Sequence, residues 1–171
     1  IENVYFYKGP VTAGSGIATI DFSYGEFDNS LLYDVHVRKC IFDSIRADPV
    51  IAGFQRVRTC SIEDGVFVDG CGQILFRESV ETDVTRLCED FSFSGNQFRA
   101  ISGNGLTISS ARVDDVLKCK IESNIFDTSA DTTSTYIALQ LAGREFFVKG
   151  NIVKKWAGMA IYISDLRDSE V

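Results

Sequence analysis

The carboxylates between Glu63 and Glu81 are the residues of this 171-residue chain whose type and spacing could do chemistry. Glu63, Asp64, Asp69, Glu78 and Glu81 fall close together in sequence. Two carboxyl groups flanking a glycosidic bond suffice to break it, one protonating the leaving oxygen while the other serves as base or nucleophile. Asp69 and Glu78 stand at the ends of predicted strands, Asp69 beside the turn Gly70-Cys71-Gly72 and Glu78 at the start of an irregular stretch running to Asp90. With Asp64 they form the candidate catalytic set. The plain alternative is that these are solubilising charges on an exposed sheet. Tyr24, Phe54 and Tyr136 are the candidate aromatic platforms for sugar rings, with core packing as the competing role.

Other reactive side chains offer less. His36 is the single histidine and sits on the polar side of an alternating strand, which reads as a bystander rather than a base. The five cysteines are odd in number and contain no Cys-x-x-Cys pair, against a disulfide framework or a zinc site. They suit small buried hydrophobes and assembly in a reducing compartment. No metal and no cofactor is expected. A formal charge of −7 argues against a nucleic-acid partner, and Val153-Lys-Lys-Trp156 reads as a solvated turn. No apolar run of about 18 residues is present, so no membrane insertion is expected.

The elements that must position these groups are short strands. Thirteen phenylalanines, 14 glycines and only two prolines favour strands and turns, and no amphipathic helical stretch of useful length appears. One phrase recurs along the chain: apolar, two polar residues, Asn, any residue, apolar. It stands as Phe93-Ser-Gly-Asn96-Gln-Phe98, Ile121-Glu-Ser-Asn124-Ile-Phe126 and Val148-Lys-Gly-Asn151-Ile-Val153. With Cys in the Asn position it reads Val37-Arg-Lys-Cys40-Ile-Phe42 and Val57-Arg-Thr-Cys60-Ser-Ile62, and with Gly, Phe6-Tyr-Lys-Gly9-Pro-Val11. The steps between these positions are 31, 20, 36, 28 and 27 residues. Such a period signals stacked repeats that cannot bury their apolar faces singly. Asn suits a sharp corner, and in strands stacked about 4.8 Å apart its amides can bond from one repeat to the next as a ladder. The expected fold is all-β, a stack of short-strand repeats, with residues 1–171 forming one domain. The opening Ile1-Glu2-Asn3-Val4 reads like the interior of a longer chain.

This pattern resembles the right-handed parallel β-helix of the pectin-lyase-like superfamily over nearly the whole chain, which implies an all-β solenoid of about six rungs, with the weakest fit between Glu78 and Asp90. Short polar rungs with Asn corners look most like bacteriophage tailspikes and tail appendages. The resemblance implies a homotrimer in the virion tail, assembled in the host cytoplasm, that binds bacterial surface polysaccharide and, if an enzyme, hydrolyses it as a glycosidase. A non-catalytic stalk of a tail appendage and a secreted polysaccharide lyase or epimerase are the alternatives. The lyase and epimerase motifs are missing: the only Trp is Trp156, and Asp48-Pro49 is followed by Val50 rather than His. The polygalacturonase set is also missing, Asp114-Asp115 being a lone dipeptide.

Overall fold

The computed structural model describes residues 1–7, 20–21, 32–45, 51–53, 57–69, 74–77, 88–101, 104–109, 116–129, 137–156 and 158–171. Among these, every regular element is a β-strand. In chain order they are β1 (Tyr5–Tyr7), β2 (Ile20–Asp21), β3 (Leu32–Tyr33), β4 (His36–Arg38), β5 (Ile41–Asp43), β6 (Ile51–Gly53), β7 (Val57–Glu63), β8 (Val66–Val68) and β9 (Ile74–Arg77). They continue as β10 (Cys88–Ser94), β11 (Gln97–Ile101), β12 (Leu106–Ser109), β13 (Val116–Glu122), β14 (Ile125–Ser129), β15 (Leu139–Arg144), β16 (Phe147–Lys149), β17 (Ile152–Lys154) and β18 (Ile161–Arg167).

All pairings between these strands are parallel. A six-stranded sheet runs β1-β5-β8-β11-β14-β17, and a twelve-stranded sheet is built around β2-β6-β9-β12-β15-β13-β10-β7-β3. In both, a strand pairs with its counterpart from a neighbouring repeat, so like residues fall in columns. Phe6, Phe42, Phe67, Phe98 and Phe126 occupy one such column, followed by Val153. Their rings stack at 4.8, 4.7, 4.6 and 4.9 Å between centroids, with planes within 11° of parallel. Trp156 closes the file edge-on against Phe126 at 6.0 Å. Parallel strands in register force identical side chains to meet face to face, which explains the abundance of phenylalanine. A second inward column alternates Cys60, Phe91 and Cys119, and all three are buried. Residues from both sheets join one continuous buried cluster.

The Asn ladder forms as the repeat implied. Asn96 Nδ2 donates to the Ile62 carbonyl at 2.9 Å and to Asn124 Oδ1 at 3.0 Å. Asn124 Nδ2 repeats the pattern toward the Phe93 carbonyl at 2.9 Å and Asn151 Oδ1 at 2.8 Å. Asn96 and Asn124 have no exposed surface, and such amides must be paired to be tolerated.

The register corrects two copies of the repeat. Cys60 pairs with Phe91 and does not stand in the Asn column. The residue stacked on Asn96 is Gly65, whose N–H donates to Asn96 Oδ1 at 2.9 Å. The first member of the column is Val4, whose carbonyl accepts from Ile41 N; Gly9 lies outside the described residues. The column is therefore Val4, Cys40, Gly65, Asn96, Asn124 and Asn151. Its steps are 36, 25, 31, 28 and 27 residues, which removes the step of 20. Cys40 imitates the amide weakly, its Sγ lying 3.2 Å from the Arg38 carbonyl and 3.9 Å from that of Ile1.

Candidate functional site

Left-handed residues shape the outer surface of the larger sheet. Thr59, Asp90 and Lys118 stand in mutual register on β7, β10 and β13, each with φ of 55°. Asp34 precedes them in the same column, and Glu145 and Asp168 follow, with φ of 60°, 55° and 50°. All six side chains are exposed. An L-residue takes this conformation at a cost of roughly 1–2 kcal/mol, and its effect here is directional. Glu89 is half-buried and Asp90 exposed before Phe91 turns into the core.

Ser92, Lys120 and Phe147 form the adjacent outward column on β10, β13 and β16. Between the two columns lies an open groove of about 510 Å³, lined by Asp90, Ser92, Lys118, Lys120, Glu145 and Phe147, with Phe91 beneath. The groove crosses three adjacent strands, a backbone span of roughly 10 Å. Its charges alternate: Lys118 lies between Asp90 and Glu145 in one column, while Lys120 lies between a hydroxyl and an aromatic ring in the other. None of the four charged groups makes an ion pair among the described residues. The flanking charges differ in this respect. Arg58 Nη2 sits 2.6 Å from Glu89 Oε2, and Arg144 Nη2 sits 3.2 Å from Asp168 Oδ2. Phe147 is half-buried, with Lys149 Nζ 6.0 Å from its ring centroid.

No known protein family, curated protein or solved structure matches this chain.

The chemistry must therefore be read from the side chains. A half-exposed ring offers an apolar face, two carboxylates without an ion pair among the described residues accept hydrogen bonds from hydroxyls, and two such ammonium groups donate. That combination suits a polyhydroxylated ligand with an apolar face better than an apolar molecule or a peptide core. Among the described residues no three His, Cys, Asp or Glu cluster as metal ligands.

The residues singled out from sequence lie elsewhere. Asp64 and Asp69 are exposed and left-handed, with φ of 54° and 55°, at the two ends of β8. Asp64 packs its carboxylate over Gly95, where any Cβ would collide with Oδ1. Asp69 contributes its charge to Tyr5 on β1. Glu78, Tyr24, Phe54 and Tyr136 lie outside the described residues. The groove carboxylates Asp90 and Glu145 escaped notice because Asp90 closes an irregular stretch and Glu145 stands alone. Once the repeats are aligned on the Asn column, both fall at the position of Lys118.

Two further clusters accompany the groove. His36 is half-buried rather than a free surface side chain, its Nδ1 2.7 Å from Ser61 Oγ and its Nε2 3.0 Å from Asp34 Oδ1. Ser61 is only 4 % exposed, so this chain of hydrogen bonds braces β4 against β7 and offers no accessible nucleophile. At the far end of the smaller sheet, Tyr5 and Tyr7 are exposed and stacked at 5.9 Å. The Tyr5 hydroxyl donates to Asp43 Oδ2 at 2.5 Å. That hydrogen bond, with smaller effects of desolvation and of the Asp43, Tyr7 and Asp69 charges, pushes its pKa up to about 12.

Proposed function

We propose that this chain is a right-handed parallel β-helix of the phage tailspike kind that binds bacterial surface polysaccharide along the groove between Asp90 and Phe147. The observation that carries the reading is the groove itself. Four charged groups without an ion pair among the described residues and one half-exposed ring converge on the outer face of a regular sheet, where simple solubility would be served equally well by paired charges. The parallel columns, the Asn ladder and a repeat of 25–36 residues support the β-helix.

The smaller sheet carries an apolar stripe that a homotrimer of the tailspike kind would bury. Its outward column runs Tyr5, Ile41, Val66, Gln97, Ile125 and Ile152. Tyr5, Ile41 and Ile152 are exposed and Val66 and Ile125 half-buried, a stripe suited to burial against another subunit.

Hydrolysis is a second reading, favoured by Asp90 and Glu145. They sit two strands apart, roughly 10 Å at the backbone, a spacing close to the carboxyl separation of about 6.5–9.5 Å used by inverting glycosidases.

Affinity electrophoresis in gels containing surface polysaccharides from a panel of bacteria tests the binding reading. The chain is expected to be retarded by at least one polymer, and Phe147→Ala to restore its mobility. Unretarded migration in every polymer contradicts the reading. Mass analysis of the bound polymer then decides hydrolysis: products that vanish with Asp90→Asn and Glu145→Gln support it, and an intact chain length excludes it.

A further inference from the structure

Within the polysaccharide reading, on which this step rests, we infer that the groove selects glycans built from carboxylate-bearing sugars, and that Lys120 anchors the carboxylate. Lys120 has no carboxylate beside it in its own column. Its cross-strand neighbours are Ser92 and Phe147, so its ammonium faces a hydroxyl that can share an anion and a ring that can receive the sugar face. Lys118, one column away, is flanked by Asp90 and Glu145, which offset its charge and leave it to orient hydroxyls. The sugar carboxylate thus meets Lys120 and Ser92, the pyranose face lies against Phe147, and the hydroxyls meet Asp90 and Glu145.

The groove lining, two lysines against two carboxylates, carries no net positive charge to hold a dianionic phosphate, and Lys149 beside the Phe147 ring adds a single ammonium at its rim. Among the described residues, Arg58 on β7 and Arg144 on β15 are already held, by Glu89 and Asp168, so neither offers a free guanidinium fork for bidentate phosphate binding. The molecule as a whole carries −7 and repels polyanions. Preference for an acidic glycan therefore has to arise locally, which makes it sensitive to a single lysine.

The test is calorimetric titration of the full chain with a panel of polyhexuronates of different linkage, each paired with its carboxyl-reduced, neutral counterpart. At least one polyhexuronate is expected to bind about tenfold or more tighter than its reduced partner, the increment of one charged hydrogen bond. Lys120→Gln is expected to erase that difference while sparing the neutral polymer, Lys120→Arg to keep it, and inorganic phosphate not to compete. Equal binding of both members of every pair, or a preference surviving Lys120→Gln, overturns the inference and leaves polysaccharide binding standing. Displacement by phosphate also overturns it, since the anion site would then be a phosphate site. Binding to neither member of any pair, together with unretarded migration in the bacterial polymers, overturns both readings.

Discussion

Asn124 Oδ1 accepts two hydrogen bonds from Asn96, one from the backbone N–H and one from the side-chain amide, each at 3.0 Å. One oxygen thereby fixes both the corner of the neighbouring repeat and the orientation of its side chain. Asn151 Oδ1 does the same for Asn124, at 3.0 and 2.8 Å. The ladder is directional, since each amide also donates to a carbonyl on the opposite side.

Asn124→Ala removes the four bonds made by the Asn124 side chain, sparing the backbone donation from Asn124 to Asn151 Oδ1, and takes the side-chain partner from the buried Asn96 N–H and the Phe93 carbonyl. Leaving such groups unmet costs about 1–3 kcal/mol each, so urea denaturation should show a loss on the order of 3 kcal/mol. Asn124→Asp should be worse at neutral pH, because an oxygen replacing Nδ2 faces the Phe93 carbonyl and Asn151 Oδ1, both acceptors. Its deficit should shrink as the pH falls and the carboxyl takes up a proton. A deficit independent of pH would contradict this geometry.

Phe67 stacks on both Phe42 and Phe98 in the buried ring file, at 4.7 and 4.6 Å. Phe67→Ala should destabilise by about 3–5 kcal/mol. Phe67→Leu should recover much of the loss, because volume matters more than ring–ring attraction, itself roughly 0.5–1.5 kcal/mol. Thermal unfolding of the pair of variants decides between burial and stacking as the main contribution.

Gly105 and Gly150 make a contrast. A Cβ at Gly105 would collide with the Ala138 carbonyl and the Phe126 ring, so Gly105→Ala should cost about 3 kcal/mol through overpacking. At Gly150 the nearest atom is 3.7 Å away and only the φ of 66° opposes a side chain, so Gly150→Ala should cost about 1 kcal/mol. Equal losses at the two positions would count against the close packing at Gly105.

Tyr5 supplies a pH signature. Its folded-state pKa of about 12 lies above the ordinary value of 10.0, so the folded state holds the proton that the unfolded chain releases first. The resulting stabilisation is present in full below about pH 10 and is lost as the pH rises toward 12. Ultraviolet titration of the six tyrosines should show a late component, which Asp43→Asn should shift down to the ordinary range.

Much of the fold was legible because the repeat is written twice, in the Asn position and in the apolar residues around it. Ile121-Glu-Ser-Asn124-Ile-Phe126 predicts a strand, a corner and a strand, and the structure has them. The column could be misread where the Asn is replaced. Cys60 mimics the motif, whereas the true member, Ile62-Glu-Asp-Gly65-Val-Phe67, hides behind a glycine. The signal that separates them is the apolar pair around the corner: Ile1 and Phe6, Ile62 and Phe67, and Ile121 and Phe126 share both residue type and spacing. The groove was harder to see. Asp90, Lys118 and Glu145 share no residue type, only a left-handed backbone and a register, and neither is visible until the strands are aligned. Asp64 and Asp69 drew attention by density in sequence, yet a three-residue strand places them at different corners.

Lysine footprinting tests the central claim most directly. The chain is acetylated with and without a polysaccharide that retards it, and the modification of each lysine is read by mass spectrometry. A glycan seated in the groove should shield Lys118 and Lys120 while Lys39, Lys154 and Lys155, on other strands and corners, keep their reactivity. Unchanged labelling at Lys118 and Lys120 with shielding elsewhere would contradict the assignment of this groove.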